Sequence, residues 1–200
     1  MPVQLWTSNR GDVLSNNLPN DTAISFGAGS ADAPASGNIT KQVSQPGVSP
    51  GATAADNVLA VYSIPASSFD VAGRGINILA MGAFAATGNN KTVKIIFNAT
   101  TAVVGSTVTG GTTIATTGVS AGNNVAFRLE SNVFKYGAAG ANTQLGLNVV
   151  SQVGATIAAP AVPAALTATE SGAILIAITG NAATATTDIL LNLLVINAMN

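Results

Sequence analysis

The sequence predicts an all-β protein, a β-sandwich preceded by an extended N-terminal arm. Three observations carry this. From Val58 onward, short apolar segments with a two-residue period follow one another, separated by Gly, Asn and Pro. No segment keeps the 3.6-residue period of an amphipathic helix. Residues 1–55 hold five of the eight prolines (Pro2, Pro19, Pro34, Pro46 and Pro50) and sustain neither period.

The first region therefore reads as an arm over residues 1–55, with little structure of its own. Its few large apolar residues, Leu5, Trp6, Leu14, Ile24 and Phe26, are spaced like anchors along a string. They are the candidate partner-binding residues, because a segment that cannot bury itself is ordered by docking on something else. Trp6, the single tryptophan, either folds back on its own sandwich or fills a pocket on a neighbour.

The second region, residues 56–200, supplies the strands. Val58–Ile64 is stopped by Pro65, which has no N–H to give a ladder. Asp70 to Gly75 makes the turn into Ile76–Phe84, where Ile76, Ile78 and Ala80 share one face and Asn77, Leu79 and Met81 the other. Gly88-Asn89-Asn90 predicts a hairpin turn before Thr92–Phe97, because Asn and Gly tolerate positive φ. Val93, Ile95 and Phe97 then alternate with Lys94. Thr101–Val104 and Thr112–Thr116 are short Thr-rich strands within a loop-like stretch. In Val125–Val133, Val125, Phe127 and Leu129 face in while Arg128 and Glu130 face out. Gln144–Val153 repeats the pattern with Leu145, Leu147 and Val149, and Ala155–Ala168, with Pro160 and Pro163, reads as a loop or an edge crossing. The continuous apolar run Ala173–Thr179 suits a central strand covered on both sides. Ile189–Ala198 closes the chain. Eight or nine short strands at this spacing fit a sandwich or a barrel.

Composition narrows the function. Hydrophobic residues make up 48% of the 200 but aromatics only 4%, so Val, Ile, Leu and Ala must build the core. Charged residues are 8%, against a usual quarter, and the net charge is −1. The surface is thus made of Thr, Ser, Asn and Gly, and no basic footprint for nucleic acid exists. Contacts made by such a surface strip few ions of water, which favours assembly, and weak self-repulsion makes the free protein less soluble. With no cysteine and no histidine, disulfides, thiolate nucleophiles and Cys/His zinc sites are excluded. MPVQLW shows no basic stretch followed by an apolar run, so no signal peptide is expected. The longest apolar runs fall well short of the roughly 20 residues of a membrane helix.

No motif argues for catalysis. The acidic residues are Asp12, Asp21, Asp32, Asp56, Asp70, Asp188, Glu130 and Glu170, and nothing in their spacing forms a local pair of the glycosidase kind. Lys41, Lys91, Lys94 and Lys135 read as hairpin and surface residues. Arg10-Gly11-Asp12 and the Asn-x-Thr triplets, such as Asn38-Ile39-Thr40, are chance matches in a chain rich in Asn and Thr. Gly27-Ala28-Gly29 lacks the βαβ context of a dinucleotide site. No catalytic residue, cofactor or metal is expected, and the reading is non-enzymatic.

One block does resemble a known group. Tyr62-Ser63-Ile64-Pro65-Ala66, Gly73-Arg74-Gly75-Ile76-Asn77-Ile78, Gly82-Ala83-Phe84-Ala85 and Asn89-Asn90-Lys91-Thr92-Val93-Lys94-Ile95 are similar to a group of tailed-bacteriophage virion proteins. Those proteins have a jelly-roll domain and are often trimeric. The resemblance implies a jelly-roll β-sandwich and a structural protein of the virion. The expected role is a head-decoration (cement) protein on the outer surface of the capsid, a homotrimer whose partner is the major capsid protein. No contact with nucleic acid or membrane is expected. The rival from another class is a tail-fibre or tail-tip module that binds a receptor or carbohydrate, against which one Trp and two Tyr weigh.

Overall fold

The computed structural model describes residues 55–158, 161–182 and 188–199. Among them the secondary structure is all β, without a helix. Ten strands run in chain order: β1 (Asn57–Ile64), β2 (Gly75–Phe84), β3 (Lys91–Phe97), β4 (Thr112–Thr116), β5 (Val125–Lys135), β6 (Gln144–Val153), β7 (Thr156–Ile157), β8 (Ala164–Leu166), β9 (Ile174–Ala182) and β10 (Ile189–Met199). The predicted arm, with Leu5, Trp6, Leu14, Ile24 and Phe26, lies outside the described residues apart from Ala55.

Two antiparallel sheets result. One has four strands in the order β1-β9-β3-β4; the other has six, in the order β10-β2-β5-β6-β7, with β8 also paired to β6. The period-2 faces decide what lies between them. Ile76, Ile78 and Ala80 of β2, Val93, Ile95 and Phe97 of β3, and Phe127, Leu129 and Val133 of β5 all point inward and are buried. Ile174, Ile176 and Ile178 of β9 join them in one continuous core. Aromatic packing is sparse but central, with the rings of Phe84 and Phe127 5.3 Å apart.

The outer face of the four-stranded sheet is covered as well. After β3 the chain crosses back over it, and Ala99, Ala102 and Val108 pack on Val58, Ile96 and Ala177. This explains the unbroken apolar run of β9, a central strand with apolar neighbours on both faces. It also corrects one expectation: Thr101–Val104 is not a strand, and only Thr101 makes an isolated bridge, to Thr109. The backbone there turns through Gly105 (φ 88°) so that this segment borders β1.

A second correction concerns Gly88-Asn89-Asn90. β2 and β3 lie in different sheets, so this segment is an arch between sheets and not a hairpin. Asn89 and Asn90 do not have positive φ; among the described residues the positive-φ asparagines are Asn98, Asn124 and Asn142. The strands consecutive in the chain that do share a ladder are β3–β4, β5–β6 and β6–β7. Within the predicted edge crossing, Thr156–Ile157 and Ala164–Leu166 form the short strands β7 and β8 beside β6.

Candidate functional site

Three features of the described residues have functional potential: two buried ionic clusters, a cleft at one corner of the sandwich, and the open face of the six-stranded sheet.

The first cluster caps the end of the core where β3 begins. Lys91 follows the inward parity of Val93 and Ile95, so its side chain enters the interior and is completely buried. Its Nζ donates to the carbonyls of Thr87 at 2.8 Å, Asn89 at 2.9 Å and Gly122 at 3.1 Å, and lies 5.8 Å from the Phe84 ring. Asp188, also buried, accepts from Thr87 Oγ1 at 2.9 Å and Asn89 Nδ2 at 2.8 Å. The ammonium and the carboxylate thus brace the two sides of the β2–β3 arch.

The second cluster lies where β5 ends. Lys135 Nζ donates to Glu170 Oε2 at 2.6 Å, with side-chain exposures of 0% and 3%. The same oxygen accepts from Gln144 Nε2 at 2.7 Å and from the Thr143 amide at 3.1 Å. Burial pushes the Glu170 pKa up. The hydrogen bonds from Lys135 and Gln144, the Lys135 charge and the Thr143 amide together outweigh it, so the carboxyl is held below its ordinary value. Burial of Lys91 and Lys135 corrects the expectation that both are hairpin and surface residues.

Neither cluster is arranged for proton transfer to a substrate, since both are sealed and their groups hold one another. The other described carboxylates are paired too: Asp56 with Lys94, Asp70 with Arg74, and Glu130 with Arg128. No group of three or more His, Cys, Asp or Glu that could hold a metal ion occurs among the described residues.

The cleft has a volume of about 380 Å³ and opens beside Thr117 and Ser120 on one sheet margin and Val153 to Thr156 on the other. Thr117, Ser120, Ser151 and Thr156 offer hydroxyls, Val119, Val125 and Val153 offer apolar wall, and no lining residue is ionisable. It can hold an uncharged group by hydrogen bonds and contact, but it supplies no acid or base.

The third feature is the broadest. On the outer face of the six-stranded sheet, register places Leu193, Met81 and Arg128 in one row and Val195, Leu79 and Glu130 in the next. Leu145, Leu147 and Val149 extend the face along β6, which corrects the expectation that they repeat the inward pattern of β5: the buried residues of β6 are Gln144, Gly146 and Ser151. These apolar side chains are half-buried or exposed, with Met81 at 37% and Val149 at 45%. Through the middle runs a hydrogen-bonded polar line. Arg128 bonds Glu130 at 2.7 Å, and Asn77 donates to Glu130 at 3.0 Å and to Asn132 at 2.9 Å.

The chain matches no family model, no curated protein and no solved structure. Fold and site geometry therefore rest on the chain's own residues.

Proposed function

We propose that this chain is a non-enzymatic structural protein of a bacteriophage virion. In this reading it is a head-decoration (cement) protein, a homotrimer that binds the major capsid protein on the outer surface of the head. The observation that carries the reading is the face of the six-stranded sheet. It is wide, half apolar, and its central charges are already paired with each other, so covering it desolvates few unpaired ions. The resemblance of the Tyr62–Ile95 block to phage virion proteins supports the same role. Many copies of a modest contact on a closed shell would add up through multivalency.

The jelly-roll reading belongs to this proposal. A rolled-up hairpin of eight strands pairs first with last, second with seventh, third with sixth, and fourth with fifth. The pairs β1–β9, β2–β5 and β3–β4 supply the last three of those rungs if one more strand precedes β1.

The test is the copy number of this chain in purified particles, by quantitative mass spectrometry against the major capsid protein. A ratio of one to one, or a simple fraction of it, is expected. A ratio of about one per hundred would overturn the head assignment and favour the tail module.

A further inference from the structure

The Lys135 cluster holds more than an ion pair. Lys135 and Gln144 stand directly opposite one another at the last rung of the β5–β6 ladder. Both side chains turn inward and both are buried, at 1% and 0% exposure. Side chains opposed in this way have Cβ atoms about 5 Å apart on one face. The rung therefore sets a primary amine beside a primary carboxamide, sealed from water.

Glu170 joins the two. Its Oε2 accepts from Lys135 Nζ at 2.6 Å and from Gln144 Nε2 at 2.7 Å, so each nitrogen is one hydrogen bond from the same atom. The backbone of Ala168 fixes the carboxamide from the other side. Its N–H donates to Gln144 Oε1 at 2.9 Å, and its carbonyl accepts from Nε2 at 3.2 Å. That N–H lies where negative charge gathers when the amide carbon is attacked. Among the described residues, the buried Oε1 of Glu170 has no hydrogen-bond partner. A half-satisfied carboxylate in the interior is costly, which brings the neutral form of the pair, with one proton moved from Nζ to Glu170, within reach.

We propose that this cluster closes an intramolecular isopeptide bond between Lys135 and Gln144, with Glu170 as the proton relay. Glu170 takes a proton from the Lys135 ammonium, and the freed amine attacks Gln144 Cδ. The carbonyl electron pair moves onto Oε1, held by the Ala168 amide. Glu170 passes its proton to Nε2 and receives the next one from Nζ. The Cδ–Nε2 bond then breaks, the Nζ–Cδ amide remains, and nitrogen leaves as one ammonium ion with the Glu170 carboxylate restored. The step is a single event in one chain and needs no turnover. Fixed neighbours supply an effective molarity of about 10⁵ M or more, and exclusion of water protects the carboxamide from hydrolysis. Condensation of Lys135 with Glu170 itself is disfavoured, because the oxygen expelled needs an acid, and the other partners of Glu170, Gln144 and Thr143, supply none. The ion pair is the unlinked state, so its responses to substitution and pH belong to the chain taken before the bond closes.

The full-length protein, refolded from urea and held folded, is denatured and cut with chymotrypsin after Tyr136, which lies between the two residues. The peptides carrying Lys135 and Gln144 are expected to stay joined, lighter by one ammonia in mass spectrometry. Lys135→Arg, and the parent kept in urea throughout, should give separate peptides. Glu170→Gln, which keeps the size of the side chain but cannot relay the proton, should slow joining by about a hundredfold or more. Separate peptides from the folded parent would overturn the proposal, as would a linkage lighter by one water that maps to Lys135 and Glu170. Joining in the urea-held chain would show that the folded cluster is not its cause, and equal rates in parent and Glu170→Gln would remove the relay.

Discussion

The ion pair between Lys135 and Glu170 can be broken from either side, and each break has its own readout. Glu170→Ala leaves an ammonium with 0% exposure and removes the acceptor of Gln144 and of the Thr143 amide. Removing one partner of a buried pair costs about 3–5 kcal/mol, because the surviving charge stays desolvated. That is a large part of the roughly 5–15 kcal/mol that holds a typical domain folded. With a urea m-value of about 2 kcal/mol/M, the unfolding midpoint should fall by on the order of 2 M. Far-UV circular dichroism is the suitable probe, since it reads the strands directly and the single tryptophan, Trp6, lies outside the described residues. A midpoint within about 0.5 M of the parent, at an unchanged m-value, would refute the cost assigned to the buried ammonium.

The pH dependence adds a sign. In the parent the Glu170 carboxyl is held below its ordinary pKa. Its contribution is therefore present above the unfolded-state pKa and fades as pH falls through the folded-state value. Lys135→Met removes the cation and its hydrogen bond and leaves burial opposed only by Gln144 and the Thr143 amide, so the folded-state pKa rises relative to the parent's. The variant's folded state then takes up its proton at higher pH than the parent's, and stability relative to the parent should increase as the solution is acidified from neutral toward pH 4. Parallel stability curves for parent and Lys135→Met would show that the ion pair does not control this carboxyl.

Two further outcomes follow from the geometry. Lys91→Met deprives the Thr87, Asn89 and Gly122 carbonyls of their shared donor and should cost about 2–4 kcal/mol, read as a lower thermal midpoint; an unchanged midpoint would mean that water replaces the ammonium freely. Gly82→Ala would drive a Cβ into the Leu190 carbonyl and to 2.6 Å from Phe127, so β10 must shift at its bulge; a loss of about 3 kcal/mol or failure to fold is expected by urea titration, and a neutral effect would mean the β2–β10 register is softer than its ladder implies.

Most of the strands were legible because burial on one face imposes a period of two, and the residues of β2, β3 and β5 obey it, whereas β6 turns Leu145, Leu147 and Val149 outward and buries Gln144, Gly146 and Ser151. What alternation does not encode is the sheet to which the next strand goes. A turn rich in Asn and Gly reads as a hairpin whether the chain reverses within a sheet or arches to the other one, which is why Gly88 to Asn90 misled. The buried lysines, however, carried a usable signal. Lys91 keeps step with Val93, Ile95 and Phe97, and Lys135 keeps step with Phe127, Leu129 and Val133, so parity alone placed both inside. Residue type argued the other way, and their stabilising partners are remote: Glu170 is 35 positions from Lys135. No local pattern announces such a pair.

The placement of these charges bears on how the molecule meets others. β3 starts, and β5 ends, on an inward lysine, at opposite ends of the layer between the sheets. Those ends are where a sandwich made of aliphatic side chains is least sealed by its own sheets. At each end an ammonium gathers oxygens from segments that no ladder joins: Thr87, Asn89 and Gly122 at one, Thr143 and Glu170 at the other. Two of the four lysines are thereby spent on the interior, and the described arginines and Lys94 are engaged with carboxylates. What remains outside is a surface of hydroxyls, amides and aliphatic side chains with few uncompensated ions. Long-range electrostatic steering toward a partner is then weak, and recognition must come from shape and short-range contact over a wide face. A half-apolar sheet whose central charges are already paired meets that requirement better than the small uncharged cleft does, which is why the proposed role is placed on the sheet.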